Sequence, residues 1–197
     1  MARAVCHAGC LPRKELYEAW EMARRVRRLF RGGRIVDLGA GHGLLAQVLL
    51  LLDDSSPGAL VVDPSLPASS ARVYEAMVHA WPRLAGRVTF IAGAMDEVGI
   101  LAGDVVVSSH ACGTLTDRVL ALAGAARARV AVLPCCHDLA RCDTGALSGW
   151  VERAVAIDIV RAMHLEQQGY RIWTQAIPAH ITPKNRLLLG APLAMPH

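Results

Sequence analysis

Apolar and polar residues follow two different periods along this chain, and segments of the two kinds alternate in order. Residues 13–31 carry apolar side chains at three- and four-residue spacings, from Leu16 to Phe30, which predicts a helix with one buried face. From residue 34 onward, short runs rich in β-branched residues alternate with helical segments. The pattern predicts strands at 34–38, 59–62, 88–91, 104–108, 130–133, 171–177 and 186–189, and further helices at 44–52, 68–81, 114–126 and 148–168.

Continuous apolar strands separated by helices are typical of a parallel sheet that is covered on both faces. We therefore predict a doubly wound, Rossmann-like α/β fold with a seven-stranded sheet. Only a loop containing Pro178 and Pro183 separates the last two strands, so the final strand must run antiparallel to its neighbour. We predict one domain over residues 13–197 with a lead-in helix. Residues 1–12 are expected to form a terminal segment without fixed structure.

Composition narrows the class of protein. The chain has 197 residues, of which 53% are apolar and 19% charged, and this is typical of a globular domain. No run reaches the ~18 apolar residues of a membrane-spanning helix, and the first residues lack the apolar core of a secretory signal. We therefore expect a cytoplasmic protein without a membrane segment. Its six cysteines are expected to be free thiols or metal ligands rather than disulfides.

A strand that runs into a glycine turn is the strongest local signal. Residues 35–43 read Ile-Val-Asp-Leu-Gly-Ala-Gly-His-Gly, and a predicted helix follows. Glycines let the backbone turn sharply and approach a ligand, whose anionic end meets the free N–H groups at the helix start. The spacing differs from the dinucleotide fingerprint, and Asp37 precedes the first glycine by two residues. This combination favours a ligand that also carries a positive charge.

The loop resembles that of the class I S-adenosylmethionine-dependent methyltransferases, and the resemblance extends over about residues 12–191. It implies that the loop holds the methionine moiety, that an acid ending the second strand accepts the ribose hydroxyls, and that an acid after the third strand meets adenine. A nicotinamide-dependent Rossmann enzyme is the rival interpretation. The cofactor residues that the resemblance implies are Asp37, Gly39, Ala40, Gly41, Gly43, Asp63, Met95 and Asp96.

Histidines and cysteines follow the fourth and fifth predicted strands, as Ser-Ser-His-Ala-Cys-Gly over 108–113 and Pro-Cys-Cys-His over 134–137. Ligands of open α/β sheets bind at the carboxyl ends of strands, so these side chains are expected beside the cofactor. With Thr-Pro-Lys-Asn-Arg at 182–186, they resemble a narrower branch, the domain of the eukaryotic tRNA acceptor-stem ribose methyltransferase and of the glutathione S-transferase C-terminal-domain-containing protein. No Asn-Pro-Pro-aromatic motif follows the fourth strand, which argues against methylation of a base amino group.

Methyl transfer requires an aligned nucleophile and, in many cases, a base that removes its proton. His110 is the first candidate for this base and His137 the second, although either could instead be a loop histidine bonded to the backbone. Three interpretations of the cysteines stay open. The first is that they are small packing residues. The second is that they are ligands of a zinc ion, which the tight Cys-Cys-His spacing does not favour. The third is that they are catalytic thiols, because the placement of Cys112 and Cys135 resembles that in enzymes that methylate C5 of RNA pyrimidines.

The net charge of +4 rests almost wholly on arginine, which pairs well with phosphate. The last turn lies on the predicted cofactor edge, and the predicted substrate contacts are Lys14, Lys184, Asn185 and Arg186. RNA, either tRNA or rRNA, is the leading substrate because of the resemblance. A small-molecule substrate is the alternative, and a non-catalytic binding module on the same fold is a further one. The sequence does not define the oligomeric state.

Overall fold

The computed structural model of the chain describes residues 1–194. Helices and strands alternate through most of its length, as the two hydrophobic periods predict. The predicted domain includes residues 195–197, which lie outside the described residues. The helices are α1 (Ala2–Ala8), α2 (Arg13–Leu29), α3 (Leu44–Leu52), α4 (Ser70–Ala80), α5 (Thr114–Ala125) and α6 (Arg153–Gln167); the strands are β1 (Ile35–Leu38), β2 (Ala59–Asp63), β3 (Val88–Ala92), β4 (Val105–Ser108), β5 (Arg129–Val132), β6 (Tyr170–Ala176) and β7 (Arg186–Pro192).

The strands form one seven-stranded sheet in the order β3-β2-β1-β4-β5-β7-β6. The pairs among the first five strands are parallel, and β7 pairs antiparallel with both β5 and β6. The predicted Rossmann-like α/β sheet with an antiparallel last strand is thereby confirmed. Because β6 runs in the same direction as β5, the turn after β6 lies at the carboxyl edge of the sheet, as the sequence predicted.

The central strands are buried because helices cover both faces of the sheet. Successive residues of β4 point to opposite faces, so Val105 and Val107 pack into the cluster under α2 and α3, while Val106 packs into the cluster under α5. Tyr170 begins β6 inside the second cluster, and its hydroxyl donates to the carbonyl oxygens of Ala123 and Ala128 at 3.0 and 2.9 Å. Tyr170 therefore anchors the start of β6 to the end of α5 and to the residue before β5.

Two segments differ from the expectation. Residues 1–12 were expected to lack fixed structure, but Ala2–Ala8 form α1, and Val5 is only 2% exposed because it packs into the core. The predicted helix over 148–168 begins only at Arg153, after a short 3₁₀ turn at Leu147–Gly149. In the part of the chain that the structure describes, none of the helices combines the length and apolar character needed to cross a membrane.

A buried ion pair fixes α2 against the chain that follows α3. Nη1 of Arg27 lies 3.1 Å from Oδ2 of Asp53, and both side chains are almost fully buried. Burial lowers the pKa of Arg27 and the Asp53 charge opposes this, and the resulting pKa of about 10 leaves the guanidinium charged at neutral pH. Arg27 therefore belongs to the core, although the same helix carries several other arginines: Arg24, Arg25 and Arg28.

Candidate cofactor and acceptor site

The glycine loop between β1 and α3 turns through a left-handed backbone at alternate residues. Gly39, Gly41 and Gly43 have φ angles of 64°, 53° and 70°, which side chains on L-residues rarely tolerate. The N–H groups of Gly39 and Ala40 both donate to the carbonyl oxygen of Val62 in β2, at 2.9 and 3.2 Å. The neighbouring strand therefore holds the loop in place.

Asp37 lies beneath this loop at the end of β1 and is 1% exposed. Its Oδ2 accepts a hydrogen bond from the N–H of Ala46 at 3.3 Å, whereas its buried Oδ1 has no partner in the described residues. Burial raises the pKa of Asp37 well above its ordinary value, the Ala46 N–H opposes this shift, and the nearby charge of Asp63 adds to it. An unpaired buried carboxylate is costly and is better satisfied by a cationic or hydrogen-bonding ligand.

Asp63 ends β2 and faces the same loop. Its Oδ2 accepts from the N–H of Gly41 at 3.0 Å, and its Oδ1 accepts from the N–H of Ser65 at 2.9 Å. Each carboxylate oxygen can accept a further hydrogen bond, so a pair of ribose hydroxyls remains chemically acceptable here. Asp63 also orders the loop itself, a role that the sequence did not indicate.

Met95 and Asp96 lie after β3 in a short 3₁₀ turn, Met95–Glu97. Met95 is 8% exposed and packs in the same cluster as Val62. Asp96 is exposed, and its carboxylate forms an ion pair with Arg118 of α5. The placement of both residues at the carboxyl edge agrees with an adenine site. The carboxylate of Asp96 is, however, already paired with Arg118, a contact that the sequence did not indicate.

These observations fit the cofactor that the loop pattern implies. The unpartnered Oδ1 of Asp37 can receive a positive or hydrogen-bonding group. Apart from its two chain neighbours, no described residue has an atom within 4 Å of a Cβ placed on Gly41, so the loop leaves open space at its tip. Asp63 and Met95 follow the next two strands of the sheet, which is the order in which an extended nucleoside would meet them. The residues present therefore suit S-adenosylmethionine.

The loop after β4 packs against the glycine loop. A Cβ on Gly39 would lie 3.6 Å from the backbone of Ala111, and Oγ of Ser108 donates to the carbonyl oxygen of Leu38 at 2.6 Å. His110 is exposed between these contacts, and its imidazole makes no hydrogen bond to any residue that the structure describes. It lines a small pocket together with Glu15, Ala40, His42 and Ser109. His110 is therefore free to meet an acceptor.

His137 differs sharply from His110. Its side chain is 2% exposed, and its Nε2 lies 2.8 Å from Oδ1 of Asp158. Burial alone would raise the pKa of Asp158, but hydrogen bonds from His137 and Arg186 outweigh burial and hold that pKa below its ordinary value. Arg161 bridges Asp158 to Asp117. A histidine held in such a network stabilises its loop and is not available to an acceptor. His110 is therefore the better candidate for a base.

The sequence analysis missed the acidic partners of this network. Asp158 lies in α6 and Asp117 in α5, within ordinary amphipathic helices, so no local signal distinguishes them. Helix packing alone brings them beside His137 in the loop after β5. Arg161 also donates to the carbonyl oxygen of Gly113, in the loop after β4, at 2.9 Å.

The four cysteines that follow β4 and β5 separate into two groups. Sγ of Cys112 lies 3.1 Å from Sγ of Cys135, and Cys136 joins them, so that three sulfur atoms lie within 4.8 Å of one another. Cys142 is buried elsewhere, with its Sγ 3.6 Å from Oδ2 of Asp117. Burial raises the pKa of both Cys112 and Cys135, so neither thiol is activated as a nucleophile in this state. The interpretation as packing residues fits Cys142 but not the exposed Cys112 and Cys136.

The four predicted substrate contacts lie on two elements. Lys14 is exposed at the start of α2 and pairs with Glu18 at 3.4 Å, and Lys184 is exposed in the turn between β6 and β7. Nδ2 of Asn185 donates to the carbonyl oxygen of Ile177 at 2.9 Å, so this residue shapes the turn. Nε of Arg186 donates to Asp158 at 2.7 Å. Both lysines are exposed, with Lys14 paired to Glu18, whereas the partly exposed Arg186 is held by Asp158.

Comparisons with known proteins agree with this geometry. The fold, with its glycine loop and carboxyl-edge acids, is that of the S-adenosylmethionine-dependent methyltransferase class. A family model described as a methyltransferase domain matches residues 14–143, and the chain belongs to this family. No curated protein matches the chain significantly.

Solved structures with the same fold share little sequence with the chain. An O-methyltransferase family protein from Burkholderia thailandensis has 17% identity and a TM-score of 0.53, with 91% of this chain and 59% of that chain covered. The M1A22 tRNA methyltransferase TrmK of B. subtilis has 17% identity and a TM-score of 0.56, with 88% and 66% covered. The mitomycin 7-O-methyltransferase MmcR has 18% identity and a TM-score of 0.55, with 91% and 54% covered. The chain thus spans between half and two thirds of each of these relatives.

Proposed function

We propose that this protein transfers the methyl group of S-adenosylmethionine to RNA, with tRNA or rRNA as the acceptor. The observation that carries the proposal is the pair of exposed lysines that flank the carboxyl edge. Lys14 lies in the first turn of α2, and its neighbour Glu15 lines the pocket of His110. Lys184 lies in the turn after β6. Arg25 of α2 donates to the carbonyl oxygen of Ala176 at 3.2 Å, which ties the helix to this turn. Cations around a reactive edge suit a phosphate backbone.

The cofactor would be held by the residues of the first three strand ends. Asp37 would accept the charged methionine end, the N–H groups of the glycine loop would line it, and Asp63 would accept the ribose hydroxyls. When bound, S-adenosylmethionine supplies an electrophilic methyl group on a sulfonium. The resemblance to the tRNA ribose methyltransferase domain supports RNA as the acceptor, as does the similarity of fold to TrmK, which is a tRNA methyltransferase.

His110 is the residue that we propose to act on the acceptor. Its imidazole is exposed beside Ala40 of the glycine loop, so an acceptor hydroxyl that enters there can pass its proton to a ring nitrogen. Ser109 and Glu15 line the same pocket, which at about 10 Å³ has room for no more than one water molecule, so the acceptor would meet His110 from its exposed side. His137 would act only through its neighbours, because its Nε2 is already bound to Asp158. Catalysis by Cys112 and Cys135 would require one of the thiols to ionise to a thiolate. The raised pKa values of both thiols argue against this ionisation.

A small molecule is the second candidate acceptor, and one cavity favours it. A cavity of about 330 Å³ between α6 and the β6–β7 part of the sheet is lined by apolar side chains such as Ile159 and Leu188. Pro134 and Arg186 bring one end of it to the carboxyl edge. An apolar small molecule could use that cavity as its acceptor site. We propose the cytoplasm as the place of action, since the six cysteines are free in the structure.

The experiment is methyl transfer from radiolabelled S-adenosylmethionine into a cell extract, which is then separated into RNA, protein and small molecules. Label in RNA that is lost with Asp37→Ala but kept with Asp54→Ala supports the proposal, because Asp54 is an exposed acid away from the loop. Label among small molecules supports the second candidate. Cofactor binding without label in any fraction favours a non-catalytic binding module, and absence of cofactor binding contradicts the assignment of the loop.

A further inference from the structure

Three thiols meet at the carboxyl edge, in a cluster that we call the thiol cluster and that consists of Cys112, Cys135 and Cys136. The first comes from the loop after β4, and the other two come from the loop after β5. The Sγ atoms all lie within 4.8 Å of one another. In the residues that the structure describes, this is the sole group of three or more such ligand atoms at that separation.

The backbone around the thiol cluster is held in place before any ligand arrives. The N–H of Gly113 donates to the carbonyl oxygen of Cys136 at 2.7 Å, which joins the two loops next to the sulfur atoms. Gly113 has a φ of 58°, and a Cβ at this position would lie 3.2 Å from Cβ of Asp138. The glycine therefore permits the close approach of the loops. This contact joins the two loops that carry the three cysteines.

Packing does not explain the thiol cluster. Free cysteines are usually buried as small apolar residues, yet Cys112 and Cys136 are exposed and Cys135 is half-buried. Cys142 shows the ordinary behaviour, because it is buried and bonded to Asp117 and Arg161. Three sulfur atoms within 4.8 Å of one another, two of them on exposed residues, are instead typical of a site for a thiophilic ligand.

We propose that Cys112, Cys135 and Cys136 bind one zinc ion through three thiolates, with the fourth position open to water or to a donor atom of a substrate. Tetrahedral zinc with Zn–S bonds of about 2.3 Å separates its sulfur ligands by about 3.8 Å. The present separations, 3.1 Å for Cys112 to Cys135 and at most 4.8 Å in the cluster, bracket that value. Small side-chain rotations complete the geometry.

The chemistry of the donors selects the ion. Sulfur ligands without a carboxylate or carbonyl oxygen suit zinc and other soft ions and not magnesium or calcium. As each Zn–S bond forms, the S–H proton leaves to solvent, and zinc undergoes no change of oxidation state. The adjacent residues Cys135 and Cys136 are too close in sequence for a Cys-x-x-Cys knuckle. The site does not require such a knuckle, because its third ligand, Cys112, comes from the loop after the neighbouring strand.

The site lies next to the candidate cofactor loop but does not rest on the proposed function. Ala111 precedes Cys112 and packs against Gly39. A metal ion here would stabilise the two loops that form this part of the edge, and its open position would face whatever enters there. The inference therefore holds whether the acceptor is RNA or a small molecule.

The test is metal binding to the reduced full chain. Co²⁺ is titrated in place of Zn²⁺ and followed by its thiolate charge-transfer and tetrahedral absorption bands, and zinc content is measured by elemental analysis. We expect one ion per chain, displaced by Zn²⁺. Cys135→Ser and Cys136→Ser should each weaken Co²⁺ binding by about ten-fold or more, since each removes one of three ligands. Cys6→Ser is the matched control, because Cys6 lies in α1 outside the cluster.

A second measurement uses the unaltered protein and so does not depend on how the variants fold. Bound zinc should protect Cys112, Cys135 and Cys136 from alkylation, as read by mass spectrometry, while the exposed Cys6 reacts normally. Failure of Co²⁺ to bind, binding that persists in both variants, or alkylation that zinc does not slow would each overturn the proposal. A stable disulfide between Cys112 and Cys135 in protein kept under reductant would also overturn it.

Discussion

A Cβ atom on Gly43 would lie 2.7 Å from Cγ1 of Val61, closer than carbon atoms approach in folded proteins. The residue that precedes α3 therefore packs directly onto β2. Gly41, two residues earlier, has a similar left-handed backbone, but among the residues that the structure describes, its two neighbours aside, none has an atom within 4 Å of a Cβ placed there. The two glycines serve different purposes, because Gly43 lets a helix approach the sheet and Gly41 leaves space for a ligand.

Alanine at these two positions should separate folding from cofactor binding. Gly41→Ala should cost about 1 kcal/mol for its left-handed backbone and weaken S-adenosylhomocysteine binding by about ten-fold or more. Gly43→Ala should cost about 3 kcal/mol, because overpacking against Val61 is added to the same backbone strain. Urea denaturation and calorimetric titration measure the two effects. Equal loss of stability in both variants would contradict the packing difference.

Asp37 should make the stability of the cofactor-free protein depend on pH. Its pKa is raised in the folded state, so above the unfolded value of about 3.9 the folded protein keeps a proton that the unfolded chain releases. The stability is therefore fully present below that value and is lost as pH rises toward the raised pKa. Asp37→Asn should flatten this dependence and weaken cofactor binding, whereas Asp54→Asn should change neither. Denaturation midpoints across pH 4–8 test it, and unchanged slopes in Asp37→Asn would count against it.

The buried ion pair of α2 should be a major contribution to stability. Besides Asp53, Arg27 donates to the carbonyl oxygen of Leu49 at 3.1 Å and to Oγ of Ser56 at 2.8 Å. Arg27→Leu leaves these acceptors buried and should cost about 3–5 kcal/mol. Arg28→Leu, on the exposed side of the same helix, should change stability by about 0.5 kcal/mol or less. Chemical denaturation compares the two, and similar losses would show that burial of Arg27 is not the cause.

Replacement of His110 should abolish turnover and leave the cofactor bound. Loss of a general base lowers rates by about 10²–10⁴-fold, so we expect kcat of His110→Ala to fall in that range with an unchanged Kd for S-adenosylhomocysteine. His164→Ala is the control, because that exposed histidine lies near the end of α6. Turnover that survives in His110→Ala would remove this residue from the mechanism.

Lys184 should contribute to RNA affinity through charge alone. Each lost phosphate contact reduces the slope of log K against log salt by about 0.7–0.9, and this is the change that we expect for Lys184→Ala. Arg171→Ala is the control, since Arg171 is exposed at the opposite end of β6. Filter binding at several salt concentrations gives the slopes. Equal slopes in Lys184→Ala and the unaltered protein would place the phosphate backbone elsewhere.

Much of the fold could be predicted because it follows from local periods. The strands of the parallel sheet are apolar throughout, and the single loop between the last two strands forces an antiparallel end. The boundaries were less accurate where a polar loop such as 138–152 has helical composition. The first helix was missed because nothing in residues 1–12 shows that Val5 finds a core to pack against.

The sequence by itself determined the order of the elements, the position of the glycine loop and the acids at the strand ends, since these are properties of neighbouring residues. Only the tertiary structure decided what those residues meet. It buries Arg27 against Asp53, pairs His137 with Asp158, and brings Cys112 to Cys135. Each of these pairs joins residues more than twenty positions apart. Strand order and loop conformation determine such contacts, and no local period encodes them.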